Sequence, residues 1–389
     1  MRILHVTEAS SAGVLTAVTT LAREQSRHAD AGRPVLAYVP RPDSPDLSAI
    51  RDLTGEEVEV RQWRAGHRWR TVPLLRGLVR TLRKEQFDVI HLHSSRAGLL
   101  GRVVAALVGG RERVVYSPHC FSFERTDIDP LRRGLYLQLE RAALRLGRNL
   151  LLVSDSEGRT ARALLPGCRT AVVHNRVTVP PAGTPADSLS DSPSDSPSDP
   201  SSYSLSDSSS APPSGEQTVI HIGRIASQKR PALFSEVAVL VAGEQEEVRF
   251  RWIGDGDRTA LDPIVEVTGW LGQDQVRSEI ARAQLVLFTS AGEGLPMALL
   301  EAQALGTPVV ASPVAGVEDL VQHGRTGLLA ETAADLARTV LALLADEGTR
   351  RRLARNATEQ VRRDFAADRL GPDSLTAYQM LLTDKDTPS

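Results

Sequence analysis

The stretch that most constrains the fold is residues 285–305, which has the pattern of a strand, a loop and a helix in immediate succession. The apolar run Leu285 to Phe288 predicts a short buried strand. A loop with two glycines follows. Pro296 then opens an apolar helix, because the missing N–H of proline costs nothing at the first helical position. The start of that helix directs free amides and a partial positive charge back at the loop, which favours an anionic ligand there.

Two acidic residues flank the start of this helix. Glu293 lies in the loop, and Glu301 follows Pro296 by five residues, which is roughly 7.5 Å along a helix axis. This spacing matches the reach from a diphosphate to a group beside it, so one acid can address each side of a bound nucleotide. The alternative is that both glutamates are solvated residues of an ordinary strand–helix unit.

The same alternation of strands and helices runs through both halves of the 389-residue chain. It predicts an α/β fold with two doubly wound parallel sheets, since a chain of this length exceeds one ordinary core. Ligands of such sheets bind at the carboxyl ends of the strands, so two sheets that face each other enclose a cleft. The predicted units are a first domain at residues 1–178, a linker at 179–216, a second domain at 217–364 and a last helical segment at 365–389.

Residues 182–216 differ in composition from the rest of the chain. They contain a short repeat of serine, aspartate and proline, from Ser190 to Pro200. Such a tract cannot bury enough apolar surface to offset the entropy lost on ordering. We therefore predict a disordered insertion between the two domains.

The net charge of −2 hides an asymmetry, because residues 1–180 carry +10 and the remainder −12. A basic half predicts an anionic surface or acceptor as its partner.

Cys120 and Cys168 lack the spacing of a metal site or a disulfide framework, which favours a cytoplasmic protein. No apolar run is long enough to predict a membrane span. The apolar stretch at the N-terminus is interrupted by Glu8, so it predicts a strand and not a secretion signal.

Residues 61–84 contain eight Lys or Arg residues and no acid, with Trp63 and Trp69 between them. A basic amphipathic segment with tryptophans can lie on anionic lipid, which predicts peripheral contact with the inner face of the cell membrane. Alternatively, the leucines and valine of residues 74–82 are the core face of a helix and the arginines its solvated face. Nucleic acid is not a predicted partner, since no binding module is recognisable and the chain as a whole is not basic.

The segment Ser290–Ala302, in which seven residues separate Glu293 from Glu301, resembles the signature of retaining GT-B glycosyltransferases of family 4. The likeness continues through Gly306–Ala311 and Gly316–Asp319 and covers most of the chain apart from the linker. It implies the GT-B fold, with the last helix crossing back to the first domain. It also implies metal-independent transfer of a hexosyl-type group from a nucleoside diphosphate sugar, without a cofactor. The acceptor would be a hydroxyl of a sugar, a lipid-linked molecule or a small molecule, in polysaccharide or glycolipid assembly.

The same resemblance assigns catalytic and donor-binding roles to single residues. Arg224 and Lys229 correspond to the pair that binds the donor diphosphate, and two cations there can hold a dianion through charge-assisted bonds. Glu301 corresponds to the residue that holds the ribose, Glu293 to the one that contacts the transferred sugar, and His119 to a histidine near the reacting carbon. The further implied donor contacts are Gly13 at the phosphates or the acceptor, Gly269 beside the nucleobase, and Gly294, Leu295, Pro296 and Met297 at the start of the helix.

Two patterns invite a metal site. His91 and His93 alternate along a strand, but no third ligand is apparent in the sequence. Asp255 and Asp257 resemble the metal-binding Asp-x-Asp of a different glycosyltransferase fold, but they follow a strand as part of a turn. We therefore predict no metal.

Two other functions remain open on the same residues. One is a nucleotide-sugar epimerase or a sugar phosphorylase on this fold, which incubation with donor alone or with inorganic phosphate would reveal. The other is a non-catalytic scaffold that keeps the nucleotide pocket. A donor-hydrolysis assay and calorimetry with nucleotide separate that scaffold from an enzyme.

Overall fold

The computed structural model describes residues 1–63, 71–179 and 217–383. Two parallel sheets with helices around them dominate it, so the predicted α/β class with two doubly wound sheets is confirmed. The repetitive linker tract lies outside the described residues.

Within the described residues, the first sheet has seven parallel strands in the order β3-β2-β1-β4-β5-β6-β7. They are β1 Ile3–Thr7, β2 Val35–Tyr38, β3 Glu59–Gln62, β4 Val89–His93, β5 Val114–Ser117, β6 Asn149–Leu152 and β7 Arg169–Val172. The central strands are buried along their whole length, as expected for a parallel sheet covered on both faces. The edge strand β3 is polar and half-buried, and for that reason the hydrophobic pattern did not predict it.

The second sheet, over the same described part of the chain, has six parallel strands in the order β10-β9-β8-β11-β12-β13. They are β8 Gln217–Ile222, β9 Val248–Ile253, β10 Val265–Val267, β11 Leu285–Phe288, β12 Val309–Ala311 and β13 Leu328–Leu329. The predicted strand that opens the 285–305 unit is thus confirmed as β11, and it is fully buried.

Helices follow most of the strands. They are α1 Ala12–Ser26, α2 Leu47–Thr54, α3 Thr71–Lys84, α4 Ser95–Val108, α5 Pro130–Ala143, α6 Asp155–Leu164, α7 Pro231–Ala242, α8 Gln273–Arg282, α9 Met297–Ala304, α10 Ala333–Ala345, α11 Glu347–Asp364 and α12 Leu370–Thr383. The predicted opening of α9 at Pro296 was wrong by one residue. Pro296 has an extended ψ of 116° and lies at the N-cap, so the first helical amide belongs to Met297.

The last helix, α12, belongs to the core of the first sheet although it follows the second sheet in sequence. Its Leu375, Tyr378 and Leu381 are buried in one cluster with Ile3 and Leu151 of the first sheet. Tyr378 has no solvent exposure. α12 therefore packs against the first sheet at β1, β5 and β6.

The described part of the basic amphipathic segment packs its apolar side inward. Leu74 and Leu78 of α3 are buried, and the ring of Trp63 covers Gly77 so closely that an added Cβ there would lie 2.3 Å from it. The leucine stripe is therefore a core face, and membrane contact by this segment stays a prediction. Trp69 lies outside the described residues. None of the helices in the described part of the chain is both long and apolar enough to cross a membrane.

Candidate functional site

The two sheets each have a point where the strand order reverses, and loops leave the carboxyl edge in opposite directions there. In the first sheet this point lies between β1 and β4, and in the second between β8 and β11. Such a switch point is the usual ligand site of a doubly wound sheet. The loop after β8 carries Arg224 and Lys229, and the loop after β11 carries Glu293. Three predicted site residues therefore share one switch point.

Lys229 and Glu293 meet directly at this switch point. Nζ of Lys229 lies 2.6 Å from Oε1 of Glu293, and the two side chains are 21% and 10% exposed. The same ammonium lies 4.9 Å from the centre of the Phe288 ring at the end of β11. A partly buried cation with one acidic partner is able to receive an anionic ligand by exchanging that partner.

Arg224 faces the first domain. Its Nη1 lies 3.4 Å from Oδ2 of Asp43, which also accepts a hydrogen bond of 2.9 Å from the Ser11 hydroxyl. A Cβ added at Gly13 would lie 3.9 Å from Cβ of Met297, so the start of α1 faces the start of α9. The predicted residues Arg224, Gly13 and Met297 thus lie on facing walls of one cleft. Asp43 was not predicted, because nothing in its local sequence links it to Arg224.

His119 reaches the same cleft from the loop after β5. His119 and Cys120 have φ values of 55° and 98°, which are uncommon for residues other than glycine. Gly294 fits against this turn, since an added Cβ would lie 2.9 Å from the carbonyl carbon of His119 and 3.0 Å from Oε1 of Glu157. The loop that carries Glu293 therefore touches the His119 turn through a residue without a side chain.

Glu157 holds the His119 turn in place. Its two carboxylate oxygens accept hydrogen bonds from the amide of Cys120, at 2.5 Å, and from the amide of Val153, at 3.0 Å. Burial raises the pKa of Glu157 to about 7, although both amides oppose that shift. The sequence did not predict this role, because Glu157 lies on α6 and the bond depends on where α6 meets the turn.

Glu301 lies half-buried on α9, about one turn from Met297. Burial raises its pKa to about 7, and the charge of Arg277 acts in the opposite direction. Among the described residues, the Glu301 carboxylate forms no hydrogen bond or ion pair. Its oxygens are therefore available to hydroxyl donors from a ligand.

Further polar contacts tie the two domains together beside the cleft. Oδ2 of Asp319 accepts bonds from the amide and the hydroxyl of Ser156, at 2.7 and 2.6 Å. Nδ2 of Asn175 donates to the carbonyl oxygen of Leu295 at 2.8 Å. The backbone just before α9 is thus positioned by the first domain as well as by its own sheet.

Gly269 follows β10, at the carboxyl edge of the second sheet. Its φ of +75° and its bridge to Gly254 fix a tight turn there. The neighbouring aspartates are held by local partners: Asp255 pairs with Arg258 at 2.9 Å, and Asp257 accepts from the amide of Thr259 at 3.1 Å. These contacts favour the turn interpretation of Asp255 and Asp257.

A third histidine, His5, lies beside His91 and His93. One ring nitrogen from each of these three residues lies within 4.8 Å of the others. The sequence did not reveal this third member because it lies on β1, 88 residues before His93. The rings hydrogen-bond to one another and to other buried groups, and burial lowers the pKa of all three.

Comparison with protein families places the chain among sugar-transferring proteins. Residues 11–179 match the model for Glycosyltransferase Family 4, and residues 216–346 match the model for Glycosyl transferases group 1. The two matches together cover most of the chain.

Individual relatives are distant. A UDP-Gal:alpha-D-GlcNAc-diphosphoundecaprenol alpha-1,3-galactosyltransferase of Escherichia coli is 26% identical over 65% of each chain. The N-acetyl-alpha-D-glucosaminyl L-malate synthase of Bacillus anthracis is 24% identical over 77% of each chain. The chain thus spans about two thirds to three quarters of the length of these two relatives.

Two solved structures share the fold over nearly the whole chain. A sucrose-phosphate synthase of Thermosynechococcus elongatus superimposes with a TM-score of 0.77 at 17% identity and covers 99% of this chain and 100% of its own. HepE of Anabaena, solved in complex with UDP-glucose, gives 0.71 at 17% identity and covers 97% and 99%.

Proposed function

Because the chain belongs to the GT-B glycosyltransferases, with a family 4 domain followed by a group 1 domain, we propose that it transfers a hexosyl group from a nucleoside diphosphate sugar to a hydroxyl acceptor with retention of configuration. The observation that carries the proposal is the Lys229–Glu293 pair at the switch point beside the start of α9, opposite His119. A cation, a helix start and a neutral hydrogen-bonding ring there surround one space.

The charge that develops in the reaction fits the second domain. As the bond between the sugar and the diphosphate breaks, the diphosphate gains negative charge and the sugar ring becomes cationic. Lys229 would exchange Glu293 for a phosphate oxygen, and the half-exposed Arg224 would leave Asp43 to reach the other phosphate. The amides at the start of α9 add donors that are already oriented.

Glu293 and Glu301 have separate uses in this scheme. Once Lys229 turns to the phosphate, Glu293 is left as an acceptor beside the transferred sugar. Glu301, unpaired among the described residues and half-buried, would accept the ribose hydroxyls. Each carboxylate then lies on one side of the diphosphate.

Retention of configuration requires the acceptor hydroxyl to attack from the face that the diphosphate leaves. The first domain supplies the facing wall, with Gly13 opposite Met297 and His119 beside Gly294. An acceptor bound on that wall approaches the reacting carbon from the diphosphate side. We place a sugar or lipid-linked acceptor there, since the E. coli relative is named for a diphosphoundecaprenol acceptor.

We propose that the reaction needs no divalent metal, because Arg224, Lys229 and the start of α9 together supply the positive charge that a metal would bring. Activity should therefore survive excess EDTA. The two cysteines are unpaired, which fits a reducing compartment, and we place the reaction in the cytoplasm and in polysaccharide or glycolipid assembly.

A two-step experiment tests the function. Thermal-shift screening against a panel of nucleotide sugars first identifies the donor by the stabilisation that binding produces. Proton NMR of the reaction with candidate acceptors then reads the anomeric configuration of the product. We expect transfer with retention in the presence of EDTA. Product with inverted configuration, or loss of activity on chelation that added metal restores, would contradict the proposal.

The alternative functions would give different results in the same assay. An epimerase would convert the donor sugar without any acceptor, and a phosphorylase would need inorganic phosphate. A scaffold would be stabilised by nucleotide and consume no donor.

A further inference from the structure

A continuous line of hydrogen bonds runs from the cleft to the C-terminal helix through the buried centre of the first domain. Nε2 of His119 lies 2.9 Å from Nδ1 of His93, and Nε2 of His93 lies 3.0 Å from Nδ1 of His5. Nε2 of His5 lies 2.8 Å from Oε1 of Gln25 on α1. Nε2 of Gln25 in turn bonds to the Ser374 hydroxyl of α12, at 2.9 Å.

The partners at the far end fix the direction of this line. The Ser374 hydroxyl donates its single proton to the carbonyl oxygen of Gly371 at 2.8 Å, so it can only accept from Gln25. The NH₂ group of Gln25 must therefore face Ser374, and its carbonyl oxygen must face His5. That oxygen has no proton to give, so Nε2 of His5 must be the donor.

The same argument fixes the donor and the acceptor nitrogen of each ring from His5 to His119. A neutral imidazole carries one proton, so His5 with its proton on Nε2 presents Nδ1 as an acceptor. His93 must then donate from Nε2, and its own Nδ1 accepts. His119 must in turn donate from Nε2 to His93.

Neutrality of the rings is supported by their surroundings. His5 and His93 have no measurable exposure, and burial lowers the pKa of His5 and of His119 to about 4. The pKa of His93 is lowered by burial and by its histidine neighbours. At neutral pH each ring therefore holds one proton.

A second line of hydrogen bonds branches off at Gln25 and runs through Tyr378 to His91. Tyr378 accepts from Nε2 of Gln25 at 3.1 Å and lies 2.7 Å from Nδ1 of His91. Nε2 of His91 bonds to the Ser117 hydroxyl at 2.8 Å, and that hydroxyl donates to the carbonyl oxygen of Leu151. This branch sets the proton of His91 and ends there, without reaching His119.

We propose that Gln25, held by Ser374 of α12, is a positioning residue that sets the tautomer of His119 through His5 and His93. His119 then holds its proton on Nε2, directed into the domain, and offers Nδ1 as an acceptor. Within the described residues, no hydrogen bond is made to that Nδ1. In the cleft it would accept from a hydroxyl of the donor sugar or the acceptor. That use of Nδ1 rests on the proposed transfer function, whereas the tautomer does not.

The test is long-range ¹H–¹⁵N NMR on the full chain labelled with ¹⁵N-histidine, with His119 assigned by its loss in His119→Gln. The chain has nine histidines, so their ring signals are separable. In the wild type we expect His5, His93 and His119 to show a protonated Nε2 and a bare Nδ1 at pH 7.5. A proton on Nδ1 of His119, or a charged ring, overturns the proposal without any variant or donor.

Two variants separate this positioning role from a structural one. Gln25→Met keeps the volume and removes the amide, so His119 should lose its single-tautomer pattern. Tyr378→Phe removes a hydroxyl from the same buried cluster, but Ser374 still orients Gln25, so only His91 should change. Equal disturbance of His119 in both variants, or an unchanged His119 in a folded Gln25→Met, contradicts the proposal.

Kinetics with the donor from the thermal-shift screen provides the second readout. Gln25→Met should lower kcat/KM by roughly 3- to 10-fold, the effect of one neutral hydrogen bond, while Tyr378→Phe should stay within about twofold of wild type. If the tautomers agree but no transfer is found with any donor, the proposed function fails and the tautomer assignment stands.

Discussion

The two walls of the cleft are built on the same kind of sheet but carry opposite chemistry. On the second domain, Arg224, Lys229, Glu293 and Glu301 place charge at the switch point. On the first domain, the rings of His119, His93 and His5 are neutral and form a line of hydrogen bonds that runs in one direction. In the proposed reaction the diphosphate gains charge and the sugar hydroxyls stay neutral, so we expect the second-domain wall to handle charge and the first-domain wall to orient hydroxyls.

The largest effect is expected where the charge is removed. Lys229→Ala takes away the ammonium that balances the leaving diphosphate, so kcat should fall by about 10²- to 10³-fold, as when one preorganised transition-state donor is lost. Steady-state kinetics measures it. Lys84→Ala, which changes an exposed lysine at the end of α3, is the matched control and should behave as the wild type. Near-normal turnover in Lys229→Ala would remove the diphosphate role.

The contact between the two walls can be broken with a single methyl group. In Gly294→Ala the new Cβ would lie 2.9 Å from the His119 carbonyl carbon, so the His119 turn and the Glu293 loop must separate. Overpacking of this kind costs about 1–3 kcal/mol, which we expect as a lower free energy of unfolding and as lost turnover.

Gly292→Ala, two residues earlier in the same loop, is the control for this change. Its Cβ would lie 3.7 Å from Sγ of Cys120, an ordinary contact, so stability and activity should be kept. Chemical denaturation measures the stability of both variants, and steady-state kinetics measures their activity. Equal behaviour of the two alanine variants would show that the walls do not depend on the close fit at Gly294.

The smallest effect is a pH dependence of donor binding. Because burial raises the pKa of Glu301 to about 7, its carboxyl is mostly protonated below pH 7. Ribose hydroxyls bind the ionised form better, so affinity for a nucleotide sugar should rise as the pH increases through 7 and then level off. Calorimetry should show binding roughly 3- to 10-fold tighter at pH 8 than at pH 6.

Glu301→Gln should bind the donor about as weakly at pH 8 as the wild type does at pH 6. Its affinity should change little with pH, and any slope that remains belongs to other groups such as Glu157, whose pKa is also raised to about 7. The same pH slope in Glu301→Gln as in the wild type would mean that Glu301 does not contact the ligand.

The sequence predicted those parts of the fold and site that depend on local pattern. Apolar runs and turn residues were enough for β11, its glycine loop and the helix that bears Glu301. The placement of Lys229 and Glu293 in one donor site came instead from the resemblance to family 4, and in the structure both residues follow central strands of the second sheet.

The remaining features depend on contacts between distant segments. His5 joins His91 and His93 only because β1 and β4 are neighbours in the sheet. The bond from Glu157 to the Cys120 amide, and the Arg224–Asp43 pair, depend on how helices and domains meet. α2 and β3 were missed because their short, polar patterns resemble loop sequence.

The most direct test of the charged wall is a crystal structure of the complex with a nucleoside diphosphate. The account predicts a phosphate at the start of α9, with Nζ of Lys229 moved from Glu293 to a phosphate oxygen and Arg224 released from Asp43. A diphosphate bound elsewhere, with the 2.6 Å pair of Lys229 and Glu293 intact, would contradict it.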